Sequence, residues 1–94
     1  MTELERLRGE LDQVDRDLVR LFEKRMELCR AVARYKLERD MPVLDSGREA
    51  QVLASRCAML ADPHWTGATR ALFEAIMGLS RAEQQACMEE ARGQ

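Results

Sequence analysis

Arg25 interrupts an otherwise apolar stripe. Leu4, Leu7, Leu11, Val14, Leu18 and Leu21 recur at heptad spacing, and Leu28, Val32 and Tyr35 resume the pattern beyond the break. Arg25 stands one heptad from Leu18 and from Val32, flanked by Leu21, Phe22, Leu28 and Cys29. A guanidinium on such a seam is costly unless an anion or a hydrogen-bonding group meets it. Arg8 and Lys36 lie on the adjoining edge, at the heptad position that Phe22 and Cys29 share. The chemistry that three cations on an oily edge suit is capture of a small dianion. Arg25 and Lys36 are 11 residues apart, about 16 Å along a helix axis, so two long side chains leaning inward can grip one small molecule. Arg8 is 17 residues from Arg25, about 25 Å away and out of reach within one chain. In an antiparallel pair of such helices, Arg8 of a second copy would sit beside the 25–36 segment, giving two equivalent sites.

Each of these residues also has a structural reading. A lone Arg at a heptad core position can set register. Arg8 can pair with Asp12 or Asp15 along its own helix. Lys36 can snorkel from a helix end. Ser46-Gly47-Arg48-Glu49 fits a capping box with Ser46 as N-cap and Glu49 at N3. Arg48 near a helix start is unfavourable for the dipole, which favours an anionic partner there. Ser80 and Gln84, one turn apart, read alone as surface polar residues.

The elements that must carry these groups are helices. The chain has 94 residues, 46 % hydrophobic but only 4 % aromatic, and its Leu, Ala, Glu, Arg and Met content favours an all-α fold. Asp40-Met41-Pro42-Val43 and Asp62-Pro63-His64 punctuate it, predicting helices over 3–39, 46–61 and 65–91 in a single domain, 1–94. The end, Glu89 to Gln94, is expected to fray. The first helix would be about 54 Å long. A compact domain of this size has a radius of gyration near 12–13 Å. Two shorter helices cannot cover such a seam, which predicts a homodimer with folding coupled to association.

Composition excludes several classes. Fifteen Lys and Arg against 17 Asp and Glu give a net charge of −2, unlike a general nucleic-acid binder. No 18-residue apolar run and no apolar leader are present, so a cytoplasmic location is expected. Cys29, Cys57 and Cys87 are odd in number and widely spaced, and His64 is the only imidazole. A zinc site, a disulfide framework and a Ser-His-Asp or Cys-His hydrolase are therefore not expected.

Taken in order, the fragments are more specific. Leu7-Arg8-Gly9-Glu10-Leu11-Asp12-Gln13-Val14-Asp15 is followed by Leu21-Phe22-Glu23-Lys24-Arg25-Met26 and Val32-Ala33-Arg34-Tyr35-Lys36. Then come Pro42-Val43-Leu44-Asp45-Ser46-Gly47-Arg48-Glu49 and Ser80-Arg81-Ala82-Glu83-Gln84-Gln85. From about Leu4 to Gln85 the sequence resembles the all-helical, AroQ-class chorismate mutases. The resemblance implies a three-helix protomer, an intertwined homodimer and a place in aromatic amino acid biosynthesis. It implies conversion of chorismate to prephenate, an intramolecular [3,3] rearrangement with no metal, no cofactor and no nucleic-acid or membrane partner. By the same resemblance, Arg25 and Arg8 from the partner chain would bind the two substrate carboxylates. Lys36 would bridge a carboxylate and the ether oxygen, and Gln84 would donate to that oxygen. Glu49, with backbone near Asp45, would accept from the ring hydroxyl, and Arg48 and Ser80 would complete the polar lining. Val32 and either Ile76 or Met77 suit the apolar walls.

Such a reaction asks two things of the protein. It must hold a flexible ether in a chair-like, near-attack conformation. It must also place hydrogen-bond donors where the ether oxygen gains charge, each worth about 3–4 kcal/mol of barrier. A Gln donates at any ordinary pH, whereas a Glu there would first have to be protonated. An isochorismate–pyruvate lyase would use the same cations with a different substrate register, and a non-enzymatic helical dimer would use Arg25 for register alone. The chain ends ten residues after Gln84, and with no dehydratase, dehydrogenase or amino-acid-sensing segment in it, feedback control within the chain is not expected.

Overall fold

The computed structural model describes residues 1–93. Helix α1 spans Glu3–Glu38, α2 spans Ser46–Ala58 and α3 spans Thr66–Arg92, with a 3₁₀ turn at Pro63–Trp65. No strand occurs among the described residues. The all-α reading thus holds. The second helix stops three residues short of the expected 61, and the third runs one residue past 91 to Arg92. Gln94, the last residue of the end expected to fray, lies outside the described residues.

Local chemistry explains the boundaries. The Thr2 hydroxyl accepts from the Glu5 amide at 3.1 Å and opens α1. At its other end, the Met41 amide donates to the Lys36 carbonyl at 2.9 Å while Asp40 takes the left-handed conformation, φ 53°. This is a Schellman closure with Asp where Gly is usual, and Pro42 follows it. Helix α2 is capped by Asp45, whose carboxylate accepts from the Arg48 amide at 2.9 Å. The expected capping box is therefore displaced: Asp45 replaces Ser46 as N-cap, and Glu49 is released from capping. Asp62 accepts from the His64 amide and holds the 3₁₀ turn, which leaves His64 exposed with its ring edge-on to Trp65.

Helix α3 is the hub. It packs on the C-terminal half of α1 and on α2. Ala33, Cys87 and Met88 form the core cluster, with Leu37 and Val43 against it. Arg30 on α1 pairs with Glu83 and Glu90 on α3, both at 2.6 Å. The N-terminal half of α1 contributes nothing to this core: the buried residues of the helix are Cys29 and Ala33 alone. The molecule measures 55 × 29 × 14 Å, with a radius of gyration of 16.9 Å. A compact chain of this length would have about 12 Å. Every member of the heptad stripe, from Leu4 to Tyr35, is exposed within the chain, as are Phe22, Leu72 and Leu79. The accessible surface is 7163 Å², against about 5500 Å² for a folded monomer of this mass.

Candidate functional site

Five cations and two carboxylates converge where α1, α2 and α3 meet. A hollow of about 360 Å³ is lined by Arg25, Lys36, Arg48, Arg56 and Arg81, by Asp45 and Glu49, by Ser80 and Gln84, and by apolar groups including Leu28, Val32, Val43, Val52 and Met77. The volume suits a small organic molecule. Each element brings one stripe. Arg25, Cys29, Val32 and Lys36 follow helical spacing on α1, Arg48, Glu49, Val52 and Arg56 on α2 below its N-cap Asp45, and Met77, Ser80, Arg81 and Gln84 on α3.

Arg25 is held by α3. Its Nη1 donates to the Ser80 hydroxyl at 2.6 Å and lies 3.8 Å from the Cys29 sulfur. Ser80 donates in turn to the Ile76 carbonyl at 2.8 Å. Its proton is thus committed, and its lone pair faces the guanidinium. Ser80 and Gln84 are both buried, so neither is the surface polar residue that its position alone suggests.

Lys36 ties two elements together. Its ammonium donates to the Val43 carbonyl at 2.7 Å and to Gln84 Oε1 at 3.1 Å. An ammonium has three donors, so one remains. With Gln84 Oε1 accepting from Lys36, that amide offers its NH₂ as a donor. The pair consequently brings a donor from each side chain, the arrangement required beside an oxygen that gains negative charge. Lys36 does not snorkel outward; it closes the α1–α2 turn and faces the hollow.

On α2, the Asp45 carboxylate is occupied as the helix cap. Arg48 reaches Gln51 rather than an acid, and is exposed. Glu49 meets Arg81 of α3 across the hollow in an ion pair. Arg56 donates to Ser55 at 2.9 Å.

Seven of the eight residues singled out from sequence therefore line one hollow: Arg25, Lys36, Asp45, Arg48, Glu49, Ser80 and Gln84. Arg8 does not. It lies exposed on the N-terminal half of α1, outside the lining. Of the expected apolar walls, Val32 and Met77 are present, and Ile76 contributes only its carbonyl to Ser80. Sequence reasoning missed Arg56 and Arg81. Helical spacing was the available signal: Arg81 falls between Ser80 and Gln84 on the same stripe as Met77.

Fold and side chains together define a small all-helical domain whose three helices enclose a cation-rich hollow. The model of the chorismate mutase type II family matches residues 7–85, and the chain belongs to that family, one of isomerases. It is 36 % identical over 78 residues to a 3-dehydroquinate dehydratase of Pyrobaculum aerophilum, a match covering 83 % of this chain and 23 % of that protein. It is 39 % identical over 56 residues to a T-protein of Haemophilus influenzae, covering 60 % and 15 %. It is 37 % identical over 62 residues to a 4-amino-4-deoxychorismate mutase of Streptomyces venezuelae, covering 66 % and 59 %. The chain spans less than a quarter of the length of the first two. No solved structure matches it significantly. Among the described residues, no helix is long and apolar enough to cross a membrane.

Proposed function

We propose that this protein rearranges chorismate to prephenate in the hollow between α1, α2 and α3. The observation that carries the reading is the convergence of Arg25, Lys36, Arg48, Glu49 and Gln84 on one space of about 360 Å³. The lining has a surplus of three positive charges, five cations against two carboxylates, which suits a dianion. Arg25, oriented by Ser80, takes one carboxylate and fixes one end of the substrate. Lys36 takes a carboxylate and, with Gln84, the ether oxygen. The C–O bond breaks as the new C–C bond forms, within one molecule and with no proton exchanged with the protein. The enzyme supplies conformational restraint and donors that strengthen as the ether oxygen becomes enolate-like. Arg48 reaches for the second carboxylate from α2, and Glu49 accepts from the ring hydroxyl.

The functional unit is a homodimer. The exposed stripe from Leu4 to Tyr35 and about 1600 Å² of surface beyond that of a compact monomer support it. Twice that excess falls in the range of obligate homodimer interfaces. Pairing of two α1 helices in opposite senses would close each hollow on the side of Leu28 and Val32 and bring in Arg8 of the partner subunit.

Arg25→Leu tests the assignment. Filling the apolar seam should leave the protein as stable as before, because Leu removes a half-buried charge without stranding one, and Ser80 keeps its bond to the Ile76 carbonyl. Turnover of chorismate should be lost, and chorismate should no longer raise the melting temperature. A variant that still forms prephenate at the wild-type rate would remove Arg25 from the site.

A further inference from the structure

The ion pair between Arg81 and Glu49 is not needed to build the fold. Both groups line the hollow, with 40 % of the Arg81 side chain and 25 % of the Glu49 side chain exposed. A pair this open adds little stability. Its effect is on the space between α2 and α3. The other charges lining the hollow are Arg25, bound to Ser80, and Lys36, bound to the Val43 carbonyl and Gln84, on α1, with Arg48, whose guanidinium is turned to Gln51, Arg56, which donates to Ser55, and Asp45, which caps α2. Among the described residues, Arg81 alone binds the Glu49 carboxylate directly, through Oε1. The carboxylate keeps Oε2 as an acceptor, and a fixed positive charge stands beside it.

We infer that Arg81 is a specificity-determining residue: it leaves Glu49 able to accept from a neutral hydroxyl on the substrate ring and repels a cationic amine at the same ring carbon. The inference rests on the function proposed above, in which Glu49 faces that carbon. A bare glutamate would favour an ammonium over a hydroxyl by direct ion pairing. With Arg81 on the same carboxylate, an incoming ammonium meets a guanidinium within a few ångströms, a like-charge contact that disfavours the amine. The bonds broken and made in the substrate are the same for either ring substituent. Arg81 therefore acts on choice of substrate and not on the chemical step.

The test compares kcat/KM for chorismate and for its ring-amine analogue, 4-amino-4-deoxychorismate, on the full chain at pH 7. Wild type, Arg81→Met, Arg81→Gln and Arg81→Lys are measured, with circular dichroism and melting temperature alongside. Wild type is expected to prefer the hydroxyl compound. The preference should shift toward the amine by at least about tenfold in both Arg81→Met and Arg81→Gln, and should return in Arg81→Lys, which restores the cation. In wild type, the relative rate on the analogue should rise with pH as its ammonium deprotonates. A preference that stays within about twofold of wild type in a folded Met or Gln variant overturns this inference while leaving the mutase reading intact, and so does a wild-type enzyme that prefers the amine. Failure of wild type to convert either compound overturns both.

Discussion

Replacing Gln84 with Glu changes a donor into an acceptor at the one point where the proposed mechanism needs a donor. Gln84 is 8 % exposed, and its Oε1 lies 3.1 Å from the Lys36 ammonium. A glutamate in that place keeps the contact with Lys36 and loses the NH₂. Loss of one donor to a charge-developing oxygen costs about 3–4 kcal/mol of barrier, or roughly 10²–10³ in rate. The pH dependence supplies a second, independent magnitude. Only the protonated carboxyl can donate. An ordinary glutamate has a pKa near 4.3, so about one molecule in a thousand is protonated at pH 7.3. At this position the Lys36 charge favours the ionised form of a carboxyl and burial opposes it, so the ordinary value serves as the reference. Activity of Gln84→Glu should therefore be about 10³-fold down near neutrality and climb roughly tenfold for each unit of acidification. Wild type should show no such climb. The assay is kcat/KM from the loss of chorismate absorbance between pH 4.5 and 8.5, with circular dichroism at each pH to confirm the fold. A variant with near-wild-type activity at pH 7.5, or a flat profile in both proteins, would refute the donor role of Gln84.

Three further outcomes follow from the structure. Arg8→Ala and Arg25→Ala chains, each inactive alone, should regain about a quarter of wild-type activity when mixed and exchanged equally, because half the dimers are mixed and each has one intact site of two; no recovery after verified exchange would contradict a shared site. Asp40→Gly should stabilise the protein by about 1 kcal/mol in urea unfolding at fixed protein concentration, since Asp40 occupies the left-handed region at φ 53° and Gly does so without strain; a lowered midpoint would show that the Asp side chain matters there. The guanidinium of Arg30 holds the Glu90 carboxyl below its usual range, so the contribution of this pair is present above the ordinary glutamate pKa and is lost as pH falls through the depressed one. Melting temperature should drop on acidification, and Glu90→Gln should lower it at pH 7 while shrinking the drop.

Much of this was legible in the sequence because helices translate spacing into position. The heptad stripe and its interruption at Arg25 gave the length and face of α1, and residues three or four apart on α2 and α3 had to share a side. The capping of α2 was not legible in the same way. Asp45 and Ser46 are both good N-caps, and the contest was decided by tertiary structure, in which Glu49 turns to Arg81 instead of back to the helix start. That pair joins residues 32 apart in sequence, a separation about which periodicity says nothing. Nor could spacing tell that the Ser80 proton goes to Ile76 and its lone pair to Arg25. Burial of Ser80 and Gln84 depended on α3 being the hub, which the composition of α3 alone does not reveal.

The most direct measurement mixes the purified chain with chorismate, with nothing else added, and follows both compounds by chromatography. Stoichiometric appearance of prephenate, at a rate proportional to protein and far above the spontaneous one, is the predicted result. Chorismate left unchanged beyond its spontaneous decay, with the protein folded and dimeric, would contradict it.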